Sequence, residues 1–486
     1  MAHEDTNTNL GVGVGVGVGG EGIIKKARRA KTAAIKLANA TADEKNEALL
    51  GIADSIEKNR DRILAANKKD LEVATGLTEA GKMSKALLDR LKLDDAKIDE
   101  IVRSVRDVAR LEDPVGKTLS AIELDEGLEL FQVSCPIGVI GAVFESRPDV
   151  LVQISSLCLK TGNAVLLKGG SEARNSNEAL FEVVREASVS NGNGSEGVGG
   201  VPDGWVQLLE TREEVGEMLK LSDYIDLLVP RGSEEFVKFI QNNTNIMVLG
   251  HSEGVCSVFV DRDADLKMAE EVCYDSKVQY PAVCNAAETL LVDSAVASEF
   301  LPRMVERFLE AGVEVRGCSR TLGFFDGEGD GEEDGKGDGK EKGKEKGKEK
   351  LKPASEEDWR TEYNDLIISV RVVDGVDEAV AHINRYGSGH TDAIVTENKE
   401  TALKFLRFVD SSSVMQNAST RFSDGFRYGK GAEVGISTNK VHARGPVGLE
   451  GLVIYKYLLL GKGHAVAPYT GSNAKPFSHK PLSKSF

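Results

Sequence analysis

CPIGVIGAVFESRPDVLVQISSLCLKTGNAVLLKGGSEARNSNEALFEVVREA, residues 135–187, sets the fold class. VIGAVF and AVLLK are apolar without interruption, the pattern of strands covered on both faces, and each leads into a stretch with helical spacing. Covered strands alternating with helices imply a parallel, doubly wound sheet. The pattern continues downstream, where WVQLLE precedes TREEVGEMLKL and YIDLLVPRGS precedes EEFVKFIQ. After GVCSVFVD it restarts with the helix DADLKMAEEVCYDSK and the strand AETLLVD, so a second α/β domain is expected there.

Upstream, Thr41 and Glu44 form a capping-box start, and Ala48, Ile52 and Ile56 follow at helical spacing. Helices are expected to continue to about Leu111. IELDEGLELFQV alternates and turns at Asp-Glu-Gly, which reads as a hairpin. GVGVGVGVGG resembles a nucleotide fingerprint only at a glance, because no strand precedes it; it reads as a disordered arm, with the ordered chain beginning near Ile23. Between 326 and 352 nearly every residue is Gly, Asp, Glu or Lys, a composition unable to bury apolar area and expected as a solvated loop insertion.

At 486 residues the chain exceeds one ordinary core. A net charge of -17 argues against nucleic acid or anionic lipid as the main partner, since both need a basic footprint. No apolar run approaches the roughly 18–20 residues that span a bilayer. The acidic start lacks a signal-type core and the terminal PLSKSF is no peroxisomal address, so a cytoplasmic protein is expected. Six cysteines without a CxxC pair argue for a reducing compartment and against a disulfide framework or a zinc site, and no metal is expected.

Ligands of doubly wound sheets bind at the carboxyl edge of the strands. LLKGGSEARNSN and LLVPRGSEEF both run strand, glycine turn, helix, where backbone N–H groups either face a phosphate or simply make a tight turn. Among the cysteines, Cys256 lies in a strand pattern and Cys158 and Cys273 in helical ones, positions where cysteine packs as a small hydrophobe. Cys135, before a proline, and Cys318, in a polar turn, have no evident activating partner. Cys284, in QYPAVCNAAETLLV, follows a tyrosine and a proline where a loop enters a strand; packing and nucleophilic readings both stand on this context.

Six stretches now carry a resemblance: PIGVIGAVFESRPDV, KTGNAVLLKGGSEARNSN, KVQYPAVCNAAETLLVD, VDEAVAHINRYGSGHTDAIVT, NASTRFSDGFRYGKGAEVGIST and HARGPVGLEGL. In this order, from about residue 24 to about residue 465, they resemble the gamma-glutamyl phosphate reductases, a proline-biosynthetic branch of the aldehyde dehydrogenase superfamily. With no amino-acid-kinase half before it, the chain is expected to be a stand-alone reductase. The resemblance implies an aldehyde dehydrogenase-like fold of two doubly wound α/β domains plus a small oligomerisation hairpin. The Gly/Val arm, at 1–22, departs from the family's usual pattern; beyond it the resemblance places an NADP-binding domain at 23–118 and 138–252, and oligomerisation elements at 119–137 and 453–486. The catalytic domain is expected at 253–452, carrying the insertion 326–352.

The resemblance also implies a mechanism. The family's nucleophile falls on Cys284, which as a thiolate attacks L-glutamyl 5-phosphate and expels phosphate; NADP(H) is the implied cofactor. Sulfur suits both the attack and the later departure. The implied oxyanion donors are the Cys284 backbone N–H and Arg147, which also stands to hold the departing phosphate or else merely pairs with an acid such as Glu145. Hydrolytic relatives carry a glutamate where this chain has Val248, an absence that favours phosphate chemistry over acid formation.

Cofactor contacts are implied at Lys168, Ser171, Gly232, Ser233 and Glu362, with Ser171 standing near where NAD-preferring relatives often carry an acid and Glu172 beside it. Substrate contacts are implied at Arg421, His442 and Arg444, for which loop scaffolding is the competing reading. A homo-oligomer and a separate glutamate 5-kinase are the implied partners. Two other functions stay open: an acylating dehydrogenase using coenzyme A, and a non-catalytic protein on this scaffold.

Overall fold

The computed structural model describes residues 18–189, 200–232, 234–251, 253–325 and 351–486. Contacts divide the chain into two compact units, the first comprising residues up to Asp113, Pro136–Val229 and Asn243–Met247, the second Pro114–Cys135, Pro230–Asn242 and Val248–Phe486.

A four-stranded sheet built mostly from the first unit has the strand order Val206–Leu208, Ala164–Lys168, Val139–Phe144, Leu227–Arg231, and its first three strands pair in parallel. Val139 pairs with Ala164 and Val143 with Lys168, which brings the ends of these two strands into register. Both strands are buried throughout, as their unbroken apolar runs require. The helix Pro148–Lys160 starts with proline in its first turn, where no N–H is missed, and is buried along nearly its whole length. Ala42–Lys58 carries the expected capping box, with Glu44 N–H donating to the Thr41 hydroxyl and Thr41 N–H to the Glu44 carboxylate.

In the second unit a seven-stranded sheet runs Leu351–Pro353, Glu314–Gly317, Ile367–Val373, Ala287–Asp293, Cys256–Val260, Thr391–Val395, Ser413–Gln416. Every pairing is parallel. Val258, Leu290 and Val370 on one face meet Phe300, Met304 and Phe308 of the helix Ser294–Glu310, forming the core of this unit. The hairpin forms as Thr118–Asp125 and Leu128–Pro136, turning through Gly127 at a φ of 72° that favours glycine. A second sheet adds the edge strands Val453–Leu460 and Lys480–Pro481 to it.

Two expected boundaries differ. The first helix spans Val18–Leu37 rather than beginning near Ile23, because propagation from an existing helix adds a hydrogen bond per residue and carries through Val-Gly-Gly-Glu-Gly despite its three glycines; the arm before it lies outside the described residues. The insertion expected over 326–352 ends sooner: residues 326–350 lie outside the described residues, whereas Leu351 and Lys352 form a strand that pairs with Val315 and Arg316. Among the described residues no helix is long and apolar enough to cross a membrane.

Candidate active site

Cys284 stands in the turns between the helix Leu266–Val278 and the strand Ala287–Asp293, and is half-buried. The backbone around it is held from three sides. The Cys256 thiol donates to the Cys284 carbonyl at 3.2 Å, and the buried Asn285 side chain donates to the Ser423 carbonyl at 2.9 Å. Gly254 lies so close that an added Cβ would stand 2.2 Å from the Cys284 carbonyl oxygen and 2.5 Å from its Cα. Only glycine fits there, and nothing in the chain pattern around Gly254 announces it.

Two imidazoles complete the surroundings. One ligand atom from each of Cys284, His251 and His390 lies within 4.8 Å of the others. Spacing along the chain does not reveal this grouping of one sulfur with two imidazoles. The two rings meet edge-on with centroids 4.9 Å apart. His251 Nδ1 is 2.8 Å from the Ile436 carbonyl. A carbonyl only accepts, so Nδ1 carries the proton and Nε2 keeps its lone pair. His390 is fully buried, with Nδ1 2.9 Å from the Thr391 hydroxyl and, among the described residues, no hydrogen-bond partner on Nε2.

Burial pushes the Cys284 thiol up to about 12, and the Glu362 and Glu433 carboxylates push the same way against the Arg231 guanidinium. Both effects make this thiol harder to ionise than an unperturbed cysteine. The physical reason is that two anions share its poorly hydrated surroundings. Burial, with the Arg231 charge adding to it against the Ile436 carbonyl, moves His251 below its ordinary value; burial and His251 hold His390 far lower.

Cys318 also departs from its expectation, having partners that its turn-like sequence hid. Burial pushes its thiol up, but the Thr321 hydroxyl and the backbone N–H groups of Val372, Thr321 and Arg320 outweigh it and leave the thiol more acidic than usual. Cys158, Cys256 and Cys273 are buried, and burial pushes all three up.

Of the other expected site residues in this unit, Glu362 and Arg421 interact electrostatically with Cys284. Glu362 precedes the strand Ile367–Val373, and Arg421 sits in the turn Thr420–Phe422 with its Nε donating to Gln279 at 2.9 Å. His442 and Arg444 brace loops instead: His442 Nε2 is 2.9 Å from the Gly451 carbonyl, and Arg444 donates to the Thr438 carbonyl and to Asp410. Gly232 follows the strand Leu227–Arg231, while Ser233 lies outside the described residues. Val248 has a buried alkyl side chain, and its carbonyl accepts from Asn439 at 3.0 Å.

In the first unit Arg147 precedes the helix Pro148–Lys160 and donates to Asp149, an acid two residues on, at 2.8 Å. Burial pushes the Asp149 carboxyl up, but Arg147 and Lys97 hold it below the usual carboxylate range. Lys168 ends its strand buried, with Nζ donating to the Gly169 carbonyl.

The glycine turn that follows opens a cavity of about 310 Å³ lined by Gly169, Gly170, Ser171, Arg174 and Asn177, with Lys26 and Arg29 from the first helix. That volume lies at the small end of ligand pockets, roughly 300–1,000 Å³. Side chains on the glycines would collide, since a Cβ on Gly169 would stand 2.1 Å from Asn177 Nδ2. Among the described residues the buried Asn177 Oδ1 has no hydrogen-bond partner, which leaves an acceptor suited to a ligand donor. Ser171 is exposed, and the Glu172 carboxylate is engaged by the Ser146 N–H and hydroxyl, each at 2.7 Å.

Comparison with known proteins follows this geometry. The model of the aldehyde dehydrogenase family matches residues 18–316. Gamma-glutamyl phosphate reductase of Methanococcoides burtonii is 56% identical over 460 residues, covering 95% of this chain and 97% of that one. The crystal structure of gamma-glutamyl phosphate reductase from Thermotoga maritima matches with a TM-score of 0.82 at 42% identity, over 91% of this chain and 99% of that one. A glyceraldehyde-3-phosphate dehydrogenase of Methanocaldococcus jannaschii complexed with NADP shares the fold alone, with a TM-score of 0.59 at 16% identity over 92% of this chain and 95% of that one. Identity above one half along nearly the full length, on the same fold, makes the assignment: the chain belongs to the aldehyde dehydrogenase family and, within it, to the gamma-glutamyl phosphate reductases.

Proposed function

We propose that the protein reduces L-glutamyl 5-phosphate with NADPH to L-glutamate 5-semialdehyde and phosphate, the second step of proline synthesis from glutamate, through a thioester on Cys284. The observation that carries this reading is a half-buried Cys284 on a fixed backbone, among imidazoles and the charges of Arg231 and Arg421, in a chain of this family.

The cavity after the first glycine turn fits a phosphorylated adenosine: it offers two glycines, a buried acceptor on Asn177 and four cationic side chains, Lys26, Arg29, Arg174 and Arg185, beside the carboxylates of Glu178, Glu182 and Glu210. With Glu172 committed to Ser146, Ser171 leaves room for a 2′-phosphate that Arg174, Lys26 or Arg29 would pair, and this favours NADP over NAD. Lys168 is assigned to the adenosine ribose, Gly232 and Ser233 to the pyrophosphate, and Glu362 to the nicotinamide ribose. The cofactor supplies the hydride that reduces the thioester.

The chain's own groups do the rest. Cys284 attacks the acyl carbon, and its backbone N–H together with Arg147 steadies the developing oxyanion. Arg147 also holds the departing phosphate, and Arg421 the substrate carboxylate, while His442 and Arg444 shape the rim through the loops they brace. Val248 provides no carboxylate to activate water, so the thioester survives until it is reduced. Exposed Tyr455, Tyr457 and Leu459 on the edge strand Val453–Leu460 support a homo-oligomer. A cytoplasmic setting, with a separate glutamate 5-kinase supplying the labile substrate, completes the reading.

The test is the reverse assay, semialdehyde and NADP+ with and without phosphate. Turnover that needs phosphate and vanishes in Cys284→Ala is the expected result. A requirement for coenzyme A points to the other acylating chemistry, and a chain that neither turns over nor gains thermal stability from NADPH is a non-catalytic protein.

A further inference from the structure

A cysteine that attacks an acyl carbon must give up its proton, and a neighbouring base can take it. We propose that His251 is that base, taking the Cys284 proton on Nε2 as the acyl phosphate arrives. The inference rests on the reading of Cys284 as nucleophile and adds a group that the resemblance does not supply.

Three features single out His251. Its tautomer is fixed by the Ile436 carbonyl at 2.8 Å, which leaves the Nε2 lone pair as the acceptor. A ring nitrogen and the Cys284 sulfur belong to one cluster whose atoms lie within 4.8 Å of one another, a spacing that a bound substrate would tighten. The imidazole is half-buried, so its cation keeps some hydration, whereas His390 is fully buried and would hold an uncompensated charge.

The remaining charged groups around the sulfur are less suited. Glu433 is already engaged, accepting from the Gly425 N–H at 2.8 Å. Glu362 raises the thiol and is assigned to the ribose. Cys256 is buried with its proton on the Cys284 carbonyl, and Arg231 and Arg421 are cations that favour the thiolate once it forms.

The step balances as follows. The S–H bond breaks, the proton moves to His251 Nε2, and the electron pair left on sulfur forms the C–S bond. The bond from the acyl carbon to the phosphate oxygen breaks, and the departing phosphate takes the proton from Nε2. After the hydride has reduced the thioester, the C–S bond breaks with its pair on sulfur, which recovers a proton from water. His251 ends neutral, and one proton is consumed per turnover.

The test follows iodoacetamide alkylation of Cys284 by site-resolved mass spectrometry between pH 5 and pH 10, beside the reverse assay. His251→Asn keeps a side-chain amide for the Ile436 carbonyl and removes the base. Wild type should show an inflection below neutrality that His251→Asn lacks, with turnover at pH 7.5 falling about 10²-fold and imidazole in solution restoring part of it. An unchanged alkylation profile with turnover within about twofold of wild type overturns the proposal. So does an inflection that disappears in His390→Asn but not in His251→Asn. If His251→Asn does not fold, the wild-type profile decides, because the absence of that inflection overturns it. Full turnover in Cys284→Ala would instead end the underlying reading, so the two failures are distinct.

Discussion

Cys284 and Cys318 are both half-buried cysteines beside the same parallel sheet, yet their surroundings act on them in opposite senses. Cys318 opens the short helix Ser319–Leu322, where backbone N–H groups and the Thr321 hydroxyl make the thiolate easier to form. Cys284 has poor hydration and the Glu362 and Glu433 charges, which make it harder. The more acidic thiol of the two is therefore not the one with arginines, imidazoles and a fixed backbone around it. Acidity at rest and fitness for acyl transfer are separate properties: the first follows from the free protein's field, the second from where the substrate's own charge and a base arrive.

The largest expected effect tests that separation directly. Cys284→Ala should lower reverse turnover by about 10⁴-fold or more, whereas Cys318→Ala should leave it within about twofold. Equal losses would erase the distinction. Next comes Gly254→Ala, whose Cβ has no room beside the Cys284 backbone and must displace it. Turnover should fall about 10²-fold, the scale of a reacting group misplaced by about 1 Å, while Cys318 alkylation is unchanged.

At pH 7.5, without ligands, iodoacetamide should label Cys318 about tenfold faster than Cys284 in the wild-type protein, as read by peptide mass spectrometry. The sign follows from the shifts: the Cys318 thiol loses its proton at a lower pH than usual, Cys284 at a higher one, up to about 12. Faster labelling of Cys284 would break the electrostatic half of the comparison. The smallest effect lies away from both sulfurs. Ser171→Asp places a carboxylate on the cavity after the first glycine turn and should raise the KM for NADPH about tenfold, with less change for NADH and none in the labelling order of the two cysteines.

Much of the architecture is legible in the chain because it depends on neighbours in sequence. The unbroken apolar runs at Val139–Phe144 and Ala164–Lys168 require a covered parallel sheet, and Thr41 with Glu44 marks a helix start that the structure realises bond for bond. The strand Leu351–Pro353 was hidden, since three residues leaving a charged low-complexity run carry no periodicity of their own. The site was legible only in part. Cys284, Glu362 and Arg421 follow from the resemblance and meet electrostatically, but Gly254, His251 and His390 do not announce themselves.

The sequence by itself determined the class of fold and the two alternating α/β runs, because apolar periodicity and local motifs act over a few residues; Cys284 was singled out by the resemblance. Tertiary structure alone decided the electrostatic surroundings of Cys284. Its protonation depends on groups drawn from strands and loops far apart in the chain, and on how little water reaches them. Charge interactions act through space and not along the backbone, so no local pattern encodes their sum.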